Sequence, residues 1–190
     1  MRLPTHGELV ELRELARAGV HDPDLMPFFY PWTDEPDSEE WVVAFHEAAR
    51  AEWQADRWNL MLGAWAGGGL IGTQGAAAAD WPTSRTAETG SWLGRRFQGL
   101  GYGTEMRAAV IELLWALGAR MVTSGAVDGN PASARISEKL GYRTVGRREI
   151  APRGTPVGCT LFALEPDGWS SPVPVEIDGL AACRPLFGPG

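Results

Sequence analysis

Lysine is almost missing from this chain: Lys139 is the single one among 17 Lys and Arg residues. A Schiff-base mechanism would have to use it, and its setting in Ser137-Glu138-Lys139-Leu140-Gly141, the end of a helical stretch, argues against that role. Cysteine is scarce too. Cys159 and Cys183 are too few for a disulfide framework, and neither stands in metal-ligand spacing with His6, His21 or His46, so no structural metal is expected. No run of eighteen apolar residues occurs, and Met1-Arg2-Leu3-Pro4-Thr5-His6 has no apolar stretch of the kind a signal peptide needs. The expectation is a cytoplasmic protein without a membrane partner. A basic surface is also lacking: the net charge of −7 argues against nonspecific nucleic-acid binding, which needs cations to displace phosphate counterions. That charge fits a positively charged acceptor such as an amine only loosely; net negative charge that keeps a protein soluble is the commoner reason for it.

What is present fits one domain over residues 1–190, long enough for a substantial core, with an ordinary 44% apolar share and no internal repeat. Its most informative stretch is Ser91-Trp92-Leu93-Gly94-Arg95-Arg96-Phe97-Gln98-Gly99-Leu100-Gly101-Tyr102-Gly103-Thr104-Glu105. A strand over 89–93 leads into a glycine turn, and a helix follows from Tyr102, with Met106, Ala109, Val110, Leu113, Leu114 and Leu117 in one stripe and Gly118 as its stop. Backbone N–H groups at such a helix mouth form an anion cradle, and glycine lets a phosphate come close. A dinucleotide fingerprint would need glycine three residues after Gly101, where Thr104 stands. A nucleotide P-loop would need Gly-Lys-Ser/Thr, which the chain does not have.

The spacing that does match is Arg/Gln-x-x-Gly-x-Gly/Ala, here Arg96-Phe97-Gln98-Gly99-Leu100-Gly101. With Gly90-Ser91-Trp92-Leu93-Gly94 before it, Gly101-Tyr102-Gly103-Thr104-Glu105 after it, Asn130-Pro131-Ala132-Ser133 and Glu138-Lys139-Leu140-Gly141-Tyr142, the chain resembles the Gcn5-related N-acetyltransferase (GNAT) superfamily. The branch it is most similar to holds the ribosomal-protein alanine acetyltransferases, and the likeness covers about residues 60–165. Segments such as His21-Asp22-Pro23-Asp24 and Cys183-Arg184-Pro185-Leu186-Phe187-Gly188-Pro189 further resemble an actinobacterial subgroup with a mycobacterial succinyl-CoA-dependent member.

The resemblance implies an α/β (α+β) fold: a mixed, mostly antiparallel twisted sheet with a splayed central strand pair and helices on both faces. It implies an N-acyltransferase that moves an acetyl or succinyl group from acetyl-CoA or succinyl-CoA to a primary amine by direct attack in a ternary complex, without a metal. A non-catalytic acyl-CoA-sensing module is the alternative. The acceptor, a small molecule or a protein N-terminus or lysine, stays open.

Along the chain, helices are expected over 7–18, from Ser38 or Glu39 to about Gln54 with Trp41, Ala44, Phe45, Ala48 and Ala49 inward, and over 131–140. Strands are expected over 59–65, 70–77 and 120–127, with two more in 142–164; 80–87 reads as a loop. The proline-rich aromatic loop 21–33 serves either as an acceptor-site wall or as packing on the core. The family's usual first strand has only Arg2-Leu3-Pro4 in its place. The tail 170–190 is expected to supply an extra strand or a dimer contact, and a homodimer could pair through it.

The site residues follow from the resemblance. Arg95 and Arg96 would face the phosphates, with Gln98, Gly99, Leu100, Gly101, Tyr102, Gly103 and Thr104 forming the cradle and Asn130 both capping its helix and touching the CoA arm. A backbone N–H near Trp92 or Leu93 would hold the oxyanion. Ser133 would donate to the departing sulfur, with Tyr142 the alternative acid or simply a core tyrosine. An amine of the lysine type has a pKa of about 10.4, so a base is needed; Glu88 and Glu149 are the candidates, though exposed glutamates without catalytic duty are the commoner case.

Overall fold

Alternating burial along the strands and one-sided burial along the helices produce a sheet covered on both faces. The structure, a computed structural model, describes residues 1–35 and 38–188. Helix α1 (His6–Arg17) opens with a capping box in which the Thr5 side chain accepts from the Glu8 N–H and the Glu8 carboxylate accepts from the Thr5 N–H. Helix α2 (Ser38–Ala51) follows, then β1 (Trp58–Ala66), β2 (Gly69–Ala78), the short α3 (Trp81–Ser84), β3 (Thr86–Leu93), α4 (Tyr102–Ala116), β4 (Met121–Val127), α5 (Pro131–Lys139), β5 (Arg143–Ile150), β6 (Val157–Leu164) and the short α6 (Leu180–Cys183).

The six strands lie in the order β1-β2-β3-β4-β6-β5, antiparallel except for β3 beside β4. That parallel pair matches only Thr86, Ala87 and Glu88 to Met121, Val122 and Thr123. Both strands run on, β3 to Leu93 and β4 to Val127, without pairing to each other. This is the splayed central pair. In place of a leading strand, Arg2 forms one antiparallel bridge to Gly63 on the edge strand β1.

Period-two alternation assigns the two faces. Trp58, Leu60 and Leu62 of β1 and Ala76 and Ala78 of β2 join Val110, Ile111 and Leu114 of α4 in the larger core. A register shift between Ala64 and Trp65 turns Leu70 to the other face, where it meets Leu9, Leu12 and Leu15 of α1 and Val42 of α2, with Trp92 packed against them. Each large apolar side chain so buried contributes about 1.5–3 kcal/mol relative to exposure.

Four expectations change. Residues 80–87 are not a loop throughout: Trp81 is fully buried, α3 forms around it, and β3 begins at Thr86. Helix α2 ends at Ala51 because Gln54 and Arg57 close a turn through their own backbone groups. Its inward face is Val42, His46 and Ala49 with Trp41 and Phe45 half-buried, while Ala44 and Ala48 are exposed; alanine loses little in water, so the larger side chains set the rotation. The tail carries no strand among its described residues, because Phe187 turns inward onto Trp53 and Trp58, at ring-centroid distances of 5.1 Å each. The strand expected there does not form among the described residues; Pro189 and Gly190 lie outside them.

Candidate active site

A cleft of about 680 Å³ passes through the splay and reaches both faces of the sheet. Gly99, Gly101, Gly103, Asn130 and Ser133 line its α4–α5 side, and Glu88, Gly90, Phe28, Phe29 and His46 its α2 side. The volume suits a small-molecule ligand.

The glycine turn is built as a cradle. Gly99 and Gly101 have φ of +75° and +95°, in the left-handed region, and Gly101 caps α4. Gly103 answers a different need: a Cβ there would lie 2.9 Å from Ile136 Cδ1, so glycine lets α4 and α5 close together. Among the described residues none of the N–H groups from Gly99 to Gly103 bonds a backbone carbonyl in the turn, which leaves them for a ligand beside the positive end of the α4 dipole. Arg95 and Arg96 are exposed, and Arg96 lies 4.8 Å from the Phe97 ring centroid. Neither lines the cleft; both flank the cradle from outside. Gln98 turns its amide inward instead, donating to Val20 O at 2.6 Å and Leu93 O at 2.9 Å, and so anchors the turn to the end of β3. Leu100 is exposed, and Tyr102 and Thr104 are half-buried, Thr104 in the cleft wall.

Backbone direction separates Trp92 from Leu93. Gly94 N–H donates to Ile71 O at 3.0 Å, toward β2, and N–H direction alternates along a strand. The Trp92 N–H therefore also turns to β2, whereas those of Leu93 and Ser91 turn to the gap. Of the two expected oxyanion donors, only Leu93 faces the open side; the Trp92 ring packs 5.7 Å from Trp32.

Asn130 caps α5, its Oδ1 accepting from the Ser133 N–H at 3.2 Å, with Pro131 in the first turn. Ser133 is half-buried at the cleft wall. Tyr142 is buried behind it, outside the lining, and burial raises its pKa. Glu88 stands on the last paired rung of β3, between Ala77 and Thr123, exposed toward the cleft on the α2 side. It also borders a second, open groove of about 860 Å³, shared with Phe45, Asn59 and Ala77. Glu149 lies on the edge strand β5, paired to Gly158 and outside the cleft lining. The structure brings Glu88 and Ser133 to one cleft and leaves Glu149 and Tyr142 out of its wall.

The aromatic loop both lines and packs. Trp32 is buried, 5.4 Å from Trp41 and from Phe28, while Phe28 and Phe29 face the cleft. Arg153 holds the loop to the β5–β6 turn through two bonds to Asp34, at 2.6 and 2.7 Å. At Gly125 a Cβ would meet Phe29 Cζ at 2.4 Å, so that glycine makes room for the ring.

Two cleft residues were not expected. His46 is 2% exposed with neither ring nitrogen bonded among the described residues, and burial together with the Arg50 charge lowers its pKa to about 4. Arg107 of α4 is buried and, among the described residues, its side chain bonds the hydroxyls of Ser124 and Ser137. The readable signal was phase: Arg107 falls in step with Ile111 and Leu114, and His46 with Val42 and Ala49. No group of three or more His, Cys, Asp or Glu side chains placed to hold a metal occurs among the described residues.

Solved structures share this architecture. One named "Probable acetyltransferase" aligns with a TM-score of 0.73 at 20% identity, over 88% of this chain and 93% of that one. A ribosomal-protein-alanine N-acetyltransferase from Brucella melitensis aligns at 0.64 and 16% identity, over 86% and 98%. RimL, a ribosomal L7/L12 α-N-protein acetyltransferase in complex with coenzyme A, aligns at 0.66 and 14% identity, over 86% and 92%. At these identities the likeness speaks for the fold. The sequence model of the acetyltransferase (GNAT) domain matches residues 2–143, most of the chain, which therefore belongs to the GNAT acetyltransferase family.

Proposed function

We propose that the protein transfers an acyl group from a CoA thioester to a primary amine by direct attack in a ternary complex, with Glu88 as base and Ser133 as donor to the leaving sulfur. The observation that carries this reading is the single cleft joining the glycine cradle, the β3–β4 gap and Glu88. The cradle and the α4 N-terminus take the pyrophosphate, with Arg95 and Arg96 approaching from outside, where bidentate guanidinium geometry suits phosphate oxygens. The pantetheine arm then runs past Asn130 into the gap, where a Leu93 or Ser91 N–H meets the thioester oxygen. On the far side the amine loses its proton toward Glu88, and the aromatic walls Phe28, Trp41 and Phe45 receive its carbon skeleton.

The acyl group is acetyl or succinyl. Calorimetry with acetyl-CoA and succinyl-CoA separates them: binding of acetyl-CoA at least as tight as succinyl-CoA excludes a succinyl-selective donor site. Free-thiol release from the preferred donor across a panel of amines and short peptides tests the reaction itself. Acceptor-dependent release is expected; donor binding without release to any acceptor would instead mark an acyl-CoA-sensing module. A thiolate with a pKa of about 8.5 already leaves readily, so Ser133→Ala should slow release only severalfold. Loss of all turnover in that variant would give Ser133 a larger part than this scheme does.

A further inference from the structure

Among the described residues Arg107 is a charge without a counter-charge. Arginine is rarely buried unless paired, and a lone buried cation costs several kcal/mol. Arg107 is 3% exposed, yet among the described residues no carboxylate pairs with it. Its Nη1 donates to Ser124 Oγ at 3.2 Å and Ser137 Oγ at 3.0 Å, and its Nε has no partner. Hydroxyls orient a guanidinium without neutralising it, and the nearby Tyr142 is a phenol whose pKa burial has raised, so it stays neutral.

Position says what the cation waits for. Ser124 comes one residue after Thr123, the last residue of β4 paired with β3, so the guanidinium lies where the gap opens. Ser137 is one helical turn beyond Ser133 and donates to the Ser133 carbonyl at 3.2 Å. Arg107 lines the cleft there, on the α4–α5 side of the sheet, opposite Glu88. Transfer needs negative charge at that place only when the carbon–sulfur bond breaks.

Resting on the acyltransferase reading above, we infer that Arg107 is a further catalytic residue, the cation that receives the leaving thiolate of CoA. The amine nitrogen bonds to the acyl carbon, its proton goes to the Glu88 side, and the carbon–sulfur electron pair leaves on sulfur against Arg107. The charge is then balanced before Ser133 or solvent protonates it. Preorganised charge in a dry site acts without reorganisation at the moment of reaction.

The test is the ionisation of bound CoA. The other charged or titratable groups lining the cleft are Arg135 and Lys139 of α5, Glu88 of β3, His46 of α2 and His21 of the aromatic loop, and none of them is changed. Ultraviolet titration of the CoA thiol on the wild-type protein should show its pKa lowered by about one unit or more from the free value, a tenfold gain in thiolate at neutral pH. Arg107→Met should return it to the free value, and Arg107→Lys should keep part of the shift. A thiol unshifted in the wild type overturns the inference even if a variant fails to fold. So does a purely structural result, in which Arg107→Met lowers the melting temperature and leaves a shifted thiol shifted. Selective loss of succinyl-CoA binding with an unshifted thiol would give Arg107 to the acyl end and equally overturn it. Failure of the wild type to bind CoA would sink the acyltransferase reading, and this inference with it.

Discussion

His46 shows how the fold sets the charge state of one side chain. Its folded pKa of about 4 lies below the ordinary 6.5, first because burial penalises the imidazolium and second because Arg50 repels it. Well above pH 6.5 the ring is neutral in folded and unfolded chains alike and contributes no slope. As pH falls from 6.5 toward 4 the unfolded chain gains a proton that the folded chain refuses, so stability drops, by about 3 kcal/mol in all. Urea melts across that window should show His46→Phe losing less stability than the wild type; parallel profiles would mean that His46 is protonated in the folded state. Glu88 offers the functional counterpart. Glu88→Gln should lower kcat/KM for a lysine-like amine about 100-fold or more, since general bases contribute on that scale, with donor affinity unchanged by calorimetry. A loss under about threefold would leave the proton to another acceptor. Glu88 is a candidate through the family resemblance, next to the strand expected over 89–93; the structure sets it within β3 and in the cleft wall. Arg107 and His46 were missed because the expected stripes were phased through Ala109 and Leu113 and through Ala44 and Ala48, a step away from the faces that the packed helices bury.

Elements were legible wherever spacing was strong. The span of α4, the Asn130-Pro131 start of α5 and the β1–β2 hairpin stand within one or two residues of expectation, although α4 buries Arg107, Ala108 and Ile111 and leaves Ala109 and Leu113 of the expected stripe half-buried. The start of β3 was not, because Trp81 draws α3 into the core by tertiary contact that no local propensity encodes. Within the motif, the three glycines do separate work, and substitution should show it. At Gly101 the nearest atom to an added Cβ is Glu105 Oε1 at 3.9 Å, so Gly101→Ala meets backbone strain and no collision. A left-handed non-glycine residue costs about 1–2 kcal/mol. The variant should melt lower by that amount and bind CoA more weakly, because the relaxed turn re-aims its N–H groups. Unchanged CoA affinity by calorimetry would separate the cradle from the donor.

At the level of the whole molecule, the tail acts as an internal wedge. Phe187 is buried against Trp53 and Trp58, and the Trp53 indole N–H donates to Leu186 O at 2.9 Å. Phe187→Ala should therefore cost about 3–5 kcal/mol in thermal or urea unfolding, with acyl transfer intact well below the melting temperature. A stability change under about 1 kcal/mol would free the tail for another partner. An apolar C-terminal stretch reads from sequence as a strand or as a wedge with equal ease, since the choice depends on the aromatic pocket it finds. The splay has a consequence of another kind. Because the gap separates Arg107 from Glu88 and one cleft serves both faces, the proposed reaction would bring the CoA arm and the amine in from opposite faces of the sheet. Neither would then have to pass the other, so initial-rate and product-inhibition kinetics should show no obligatory order of binding.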